Sequence, residues 1–193
     1  MERYLINLIV LFTAVFMTSC GYNSMVDKQE DVNAKWAQVE NVYQRRADLI
    51  PNLVEVVKGY AAHEKDVLTG VVEARAKATA VNLNVENLSE ENLKKFEQAQ
   101  SGLSSALNRL MAISENYPEL KANQNFLELQ SQLEGTENRI TVERMKFNEA
   151  VKNYNSHIRK FPNVIYAGWF NFEARAYFQA IKEGAEHAPD VKF

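Results

Sequence analysis

The chain has 193 residues, which is enough for one domain with a hydrophobic core and short for two. Hydrophobic residues make up 46% of the sequence and charged residues 24%, a balance that excludes a disordered acidic tail and a membrane protein with many spans. With 22 basic and 25 acidic residues the net charge is −3, so there is no basic excess to favour nucleic acid as a partner. The single cysteine excludes an internal disulfide and a cysteine-based zinc cluster.

An uncharged apolar run, LINLIVLFTAVFM, occupies residues 5–17. A membrane-spanning helix needs about 20 such residues, whereas the core of a secretory signal needs about 7–15. The run ends in Met17-Thr18-Ser19-Cys20, which resembles the bacterial lipobox, in which the cysteine is acylated and the chain is cleaved before it. We therefore predict a lipoprotein signal peptide over residues 1–19, lipidation of Cys20 and a lipidated tether over residues 20–28. The alternative is an uncleaved N-terminal membrane helix with an incidental cysteine.

A lipidated Cys20 would fix the chain to a bacterial membrane, because two or more acyl chains give a stable tether. This predicts a protein of the cell envelope that faces the periplasm. Gly21, where a sorting signal would have Asp, favours the inner leaflet of the outer membrane. An uncleaved helix would instead hold the protein in the inner membrane.

Apolar residues recur at alternating steps of four and three from Val32 onward, which predicts a long helix over residues 29–81. Its phase continues across Pro51, whose ring crowds the carbonyl of Ala47, so we predict a bend at Pro51 within one helix. The alternative is a break there, with Asp48 as the cap of a new helix.

Three further helices are predicted in chain order. Ser89 is a suitable N-cap for a helix that runs to about residue 116, where a Tyr-Pro pair ends it. The next helix spans about residues 119–159, and the last about 172–186 with Asn171 as its cap. Long helices with short connections predict an all-α fold, an elongated antiparallel up-down bundle of about four long helices that occupies residues 29–193.

Three segments carry a resemblance to a known family. RRADLIPNLVEVVKGYAAHEKDVL (Arg45–Leu68), YPELKANQNFLELQSQLEGTENRI (Tyr117–Ile140) and FNEAVKNYNSHIRKFP (Phe147–Pro162) resemble the LemA family, in that order along the chain. The resemblance extends over residues 22–193 and implies an antiparallel helical bundle fixed to a bacterial membrane by its N-terminus. This chain, with Cys20, resembles a lipidated version. The family has no agreed biochemical activity, so the resemblance supplies no reaction.

No motif in the sequence points to catalysis, a metal or a cofactor. His63-Glu64 lacks the second histidine of a zinc-binding HExxH motif, and His157 and His187 have no ligand partner at helical spacing. Neither a glycine-rich nucleotide loop nor a GxSxG nucleophile motif occurs. We therefore predict a protein that is not an enzyme, with no catalytic residue, metal or cofactor.

Polar residues interrupt the apolar stripe of the third predicted helix beside Gly135. Glycine inside a helix costs about 1 kcal/mol relative to alanine, and we interpret Gly135 as a point where another helix approaches closely. The favoured interpretation is a buried polar network that joins the bend to Gly135 and fixes helix register; the alternative is a binding groove where Pro51 opens the bundle. The candidate residues are Arg45, Arg46, Asp48, Asn52, Gly135, Glu137, Asn138 and Arg139.

Seven aromatic residues lie between Phe161 and Phe178. They predict a hydrophobic plug over one end of the bundle. The alternative is that part of this segment, with Trp169 and Phe170, stays exposed as a docking patch for a partner or a lipid.

Together these features predict a non-catalytic, membrane-anchored helical scaffold or adaptor for other envelope proteins, whose identity the sequence does not give. A homo-oligomer is left open. The first alternative is a binding protein for a small or lipidic ligand in a bundle core opened near Pro51, and a hydrolase is the second.

Overall fold

A computed structural model of the protein describes residues 2–81, 83 and 88–179. Every regular element within these ranges is a helix, as the sequence predicts. The six elements are α1 (Glu2–Tyr60), α2 (Lys65–Ala80), α3 (Glu90–Ser114), α4 (Pro118–Lys121), α5 (Gln124–Arg159) and α6 (Asn163–Trp169).

The first predicted helix is correct in kind and wrong at both ends. α1 already includes residues 21–28, where Met25 is fully buried, so residue 29 is too late as a start. At the other end, α1 stops at Tyr60 and a turn over residues 61–64 separates it from α2. The sequence hides this break because Val57, Ala61 and Leu68 all face one core and keep the phase of a single helix.

Pro51 lies inside α1 and does not interrupt it, as predicted. A chain break with Asp48 as a cap is therefore wrong. The bend at Pro51 stays a prediction.

The second and third predicted helices are confirmed with smaller changes. Ser89 caps α3, since its hydroxyl accepts a hydrogen bond from the backbone N–H of Asn92 at 3.3 Å. The third helix is divided into the single turn of α4 and the long α5. Asn123 caps α5 by accepting a hydrogen bond from the N–H of Phe126 at 3.0 Å.

The last predicted helix is wrong over its described part. Residues 172–179 are not helical, and the rest of its predicted length lies outside the described residues. A short helix, α6, precedes this segment, and Asn171 follows α6 with a positive φ of 56°, a conformation that asparagine tolerates better than most residues.

Two asparagines of α5 explain why residues 172–179 are extended. The amide of Asn155 exchanges two hydrogen bonds of 2.9 Å with the backbone of Arg175. The amide of Asn148 does the same with the backbone of Phe178, at 2.9 and 3.0 Å. These side chains satisfy backbone groups that a helix would otherwise satisfy internally, so the segment lies along α5 as a strap.

We expect Asn155→Ala to loosen this strap. The substitution removes the two hydrogen bonds that Asn155 makes with the backbone N–H and C=O of Arg175, at a cost of about 1–3 kcal/mol in unfolding free energy. Urea unfolding followed by circular dichroism measures it. Asn153→Ala, on the exposed side of α5, is the matched control and should change the unfolding free energy by less than about 0.5 kcal/mol. Equal losses in both variants would contradict the role of Asn155.

α1 and α5 run antiparallel in contact along much of their length. The direction follows from three contacts, in which Trp36 meets Phe147, Arg46 meets Glu137 and the hydroxyl of Tyr60 meets Asn123. α2 and α3 pack on each other and complete the core.

The buried apolar side chains form two clusters. One surrounds Trp36, which lies among the rings of Phe96, Phe147 and Phe178. The other is mostly aliphatic and includes Leu53, Leu103, Leu110 and Leu120, together with Phe126. α1 contributes to both, and the short stretch between Tyr43 and Ile50 joins them.

Candidate functional site

A buried arginine lies where the two apolar clusters meet. The side chain of Arg46 is only 2% exposed. Its Nη1 donates to Oε2 of Glu137 at 2.8 Å and to Oγ of Ser104 at 3.0 Å, and its Nη2 donates to Oε1 of Gln100 at 2.6 Å. We call Arg46, Gln100, Ser104 and Glu137 the Arg46 layer.

The layer joins four helices. Arg46 occupies a core position of α1, one turn after Tyr43 and one turn before Ile50. Gln100 and Ser104 are four residues apart and therefore share one face of α3. Gln100 also donates to the carbonyl of Ala78 on α2 at 3.3 Å, while Glu137 comes from α5. These contacts form only when each helix has the right rotation about its axis and the right position along it.

A second ion pair lies beside the layer. Arg144 of α5 donates to Glu97 of α3 at 2.5 Å, with both side chains largely buried, and it also donates to the carbonyl of Gln179. Burial raises the pKa of Glu97 above its ordinary value, against the opposing effect of Arg144. The guanidinium of Arg144 also lies 4.4 Å from the ring centre of Phe178, a cation–π contact that secures the strap.

Tyr43 connects the two pairs electrostatically. Its pKa is raised by burial, and the nearby guanidinium groups of Arg144 and Arg46 oppose that rise. One small cavity of about 170 Å³ is lined by both ion pairs. The positive charges of Arg46 and Arg144 there balance the negative charges of Glu97 and Glu137. Charges that neutralise each other in this way suit a device that fixes helix register.

A groove of about 410 Å³ opens beside Arg46, between α3 and α5. Its lining combines the polar groups of Arg46, Ser104 and Glu137 with apolar side chains such as Leu107 and Leu133. This groove is large enough for a small amphipathic molecule.

An aromatic surface lies beyond the C-terminal end of α5, where α6 follows. Trp169 and Phe170, at the end of α6, are 72% and 54% exposed. Phe170 touches Tyr22 of α1 edge-on, with ring centres 4.9 Å apart, and Trp169 touches Tyr166 at 5.9 Å. The predicted aromatic segment therefore divides: Phe178 fills the core, while Trp169 and Phe170 face outward.

A sequence model described as the LemA family matches residues 35–193. This chain belongs to the LemA family. The predicted resemblance is confirmed, and the match includes the whole Arg46 layer and α6.

Several relatives extend the comparison. Magnetosome proteins MamQ 1 and MamQ 2 of Paramagnetospirillum magneticum are each 31% identical over 189 residues, which cover 89% of this chain and 68% of theirs. Magnetosome protein MamQ of Magnetospirillum gryphiswaldense is 28% identical over 190 residues, with 90% and 69% covered. Protein LemA of Metamycoplasma hominis is 24% identical over 153 residues, 79% of this chain and 63% of its own length.

The structure brings together only part of the predicted polar network. Arg46 and Glu137 form an ion pair. The side chains of the other non-glycine candidates are exposed at the surface, namely Arg45, Asp48, Asn52, Asn138 and Arg139. Asp48 accepts a hydrogen bond from Gln44 at 2.7 Å, within its own helix.

Sequence reasoning missed Gln100 and Ser104. Gln100 carried a signal, since it is a polar residue on an otherwise apolar stripe, between Phe96 and Leu103. That position is unfavourable unless the amide finds partners, and Arg46 and Ala78 supply them.

The interpretation of Gly135 is wrong. Gly135 is exposed, and a Cβ added there would meet nothing within 4 Å. α5 buries Leu133, Thr136 and Ile140, so that Gly135 falls on the solvent side of the helix. Within the described residues no helix approaches it, so Gly135→Leu would not overpack the core.

We therefore expect Gly135→Ala to stabilise the protein. Alanine relieves the conformational cost of glycine in a helix interior, and the free energy of unfolding should rise by about 0.5–1 kcal/mol. Chemical unfolding measures the change. Gly21→Ala is the comparison, because its added Cβ would lie 3.3 Å from Oδ1 of Asn163 and should gain less. A destabilised Gly135→Ala variant would contradict the exposed placement.

The histidine-containing motifs have structural surroundings. Glu64, next to His63, accepts a hydrogen bond from the hydroxyl of Tyr117 at 3.1 Å. Burial, with the charges of Lys28 and Lys160, lowers the pKa of His157. Within the part of the chain that the structure describes, no three His, Cys, Asp or Glu side chains are placed to hold a metal ion.

The predicted signal peptide and the lipidation of Cys20 concern side chains that the structure does not describe. Among the described residues, no helix combines the length and apolar character that crossing a membrane requires.

Proposed function

We propose that this protein is a non-catalytic, membrane-anchored helical scaffold of the bacterial cell envelope, whose surface serves other envelope proteins. One observation carries the proposal. The backbone of α1 is a continuous helix from Glu2 to Tyr60, so the apolar run at residues 5–17 and the core positions from Met25 onward belong to one element. Because α1 is continuous through residues 20 and 21, attachment through acyl chains on Cys20 or through the uncleaved run would join directly to the helix that enters the core, as a scaffold held near a membrane requires.

The chemistry of the interior supports a structural role. In the Arg46 layer and the Arg144–Glu97 pair, the charged groups bond to one another across helices, which supports a role in fixing helix register. The relatives are also named without a reaction, three of them as magnetosome proteins. A long α1 with α5 antiparallel to it supports an elongated up-down bundle as the architecture.

Lipidation of Cys20 is the proposed mode of attachment. Cleavage before Cys20 would remove the apolar run and leave acyl chains one residue away from Gly21, which already packs against α6. The protein would then face the periplasm, with the inner leaflet of the outer membrane as its location. If the signal is not cleaved, the same helix would hold it in the inner membrane.

Proximity labelling in cells tests the scaffold role. A promiscuous biotin ligase is fused to the C-terminus of the full chain, and labelled envelope proteins are compared with those of a control in which residues 1–28 carry an unrelated helical domain. We expect a reproducible set of proteins that the control does not label. Identical sets would show that the helical domain recruits nothing, and would refute the proposal.

The groove beside Arg46 favours a second candidate, a binding protein for a small or lipidic ligand. Its volume of about 410 Å³ and its mixed lining suit an amphipathic molecule. Pro51 is exposed and does not line it, so the site lies one turn earlier than the sequence suggests. Native mass spectrometry of the chain extracted from cells should show an added mass that Leu107→Trp removes; the bare mass alone would exclude this candidate.

A further inference from the structure

The outer face of α6 is an exposed apolar patch. Ile165 and Trp169 are four residues apart and so line one side of the helix, with Val164 beside them, and Phe161 lies two residues before the helix begins. Their exposed fractions are 82% for Phe161, 43% for Ile165 and 49% for Val164. Together with Phe170 they form what we call the α6 patch, a cluster of side chains that proteins rarely leave in water without a use.

The α6 patch lies at the end of α1 that carries the anchor. A Cβ added at Gly21 would be 3.3 Å from Asn163 and 3.6 Å from the ring of Tyr166, both on α6. Phe170 contacts Tyr22. Gly21 follows Cys20 directly and lies four residues after the apolar run, a distance of about 6 Å along a helix. Attachment through acyl chains on Cys20 or through the apolar run therefore brings α6 to the membrane surface.

Basic side chains flank the patch. Lys28 and Lys160 are close enough to His157, at the end of α5, to act on its charge, and Arg159 is exposed on the last turn of the same helix. Asp27 is exposed next to Lys28 and offsets one of these charges. The remaining positive charge beside aromatic rings matches an interface of anionic lipid headgroups.

The described chain continues away from this surface. After Phe170 the strap runs along α5 toward the core, where Asn155 holds Arg175 and Asn148 holds Phe178. The strap therefore does not cover the α6 patch.

We propose that the α6 patch is a second membrane contact, with Trp169, Phe170 and Phe161 seated among the headgroups of a lipid bilayer. This inference rests on the proposed anchoring of α1. The first attachment fixes one point of the chain, and α6 fixes its orientation, so that the axis of α1 and α5 keeps a defined angle to the membrane. Tryptophan suits this depth because its indole combines an apolar body with an N–H donor, and the two phenylalanines add apolar area that can enter the acyl boundary.

The two tryptophans of the chain make a direct test. The full chain is reconstituted into vesicles of phosphatidylethanolamine and phosphatidylglycerol at three to one, with and without brominated acyl chains, which quench nearby tryptophan. Trp169 should lose emission in brominated vesicles. Trp36 is fully buried in the core and should not, so the variant Trp169→Phe should show no bromine-dependent loss. Met145→Ser, which removes an exposed apolar side chain on α5, should quench like the wild type.

Flotation of the vesicles and quenching of Trp169 separate the anchoring from the α6 contact. If the chain floats with the vesicles and Trp169 keeps its full emission, the α6 contact is refuted while the anchoring stands. If the chain does not float at all, the anchoring and this inference both fail. If Trp169 is unquenched in vesicles and becomes shielded from acrylamide only in cell membranes, a protein and not a lipid covers the patch, which also overturns the proposal. Equal quenching in phosphatidylcholine vesicles would refute the contribution of the basic residues.

Discussion

Replacing Trp36 by alanine should destabilise the protein by about 3–5 kcal/mol, the largest effect expected of a single substitution. The indole is fully buried and lies among the rings of Phe96, Phe147 and Phe178, at centre distances of 5.5 to 5.9 Å. It also donates a hydrogen bond of 3.2 Å to the carbonyl of Leu83. Alanine would leave a cavity at the junction of three helical elements and the strap.

Urea unfolding followed by circular dichroism measures this loss. Trp169→Ala is the matched control, since its indole is exposed and its removal should change the unfolding free energy by less than about 0.5 kcal/mol in the absence of lipid. Similar losses for the two variants would contradict the placement of Trp36 at the centre of the aromatic cluster.

Arg46→Ala should cost about 2–4 kcal/mol in unfolding free energy. The substitution removes a fully buried side chain and leaves Oε1 of Gln100 buried without its strongest donor. Glu137 contributes less to the loss, because it is half-exposed and water can solvate its carboxylate once the arginine is gone.

Two companion variants separate the causes. Arg45→Ala removes the neighbouring exposed arginine and should change stability by less than about 0.5 kcal/mol. Arg46→Met keeps much of the buried volume without the charge and should be more stable than Arg46→Ala, since apolar residues often replace buried ion pairs at little cost. If Arg46→Met were the less stable of the two, water that enters the alanine cavity and solvates Gln100 would stabilise the protein more than the packing that methionine restores.

The helices were predictable because their signals are local. Ser89 as an N-cap and the apolar stripes of α3 and α5 depend on residues within one or two turns. The break at residues 61–64 was not predictable, because the apolar phase that would reveal it continues through the turn. The strap was not predictable either, since Asn148 and Asn155 lie about 20 to 30 residues before the backbone groups they hold.

The site was predictable in its elements and not in its partners. A charged residue at a core position of α1 and a polar interruption in α5 pointed to Arg46 and Glu137. Which of the neighbouring polar residues faces inward depends on the rotation of α5 against α1, and that excludes Asn138 and Arg139. The conformational cost of glycine inside a helix marked Gly135 as unusual. It did not show that the residue lies on the solvent side of α5.

Intact-mass spectrometry of the protein from fractionated bacterial cells decides whether acyl chains on Cys20 attach it to a membrane. We expect a chain that begins at Cys20 and carries fatty-acyl chains, and the absence of that species in a Cys20→Ser variant. A chain that begins at Met1 with a free thiol at Cys20, recovered from the soluble fraction, would contradict it.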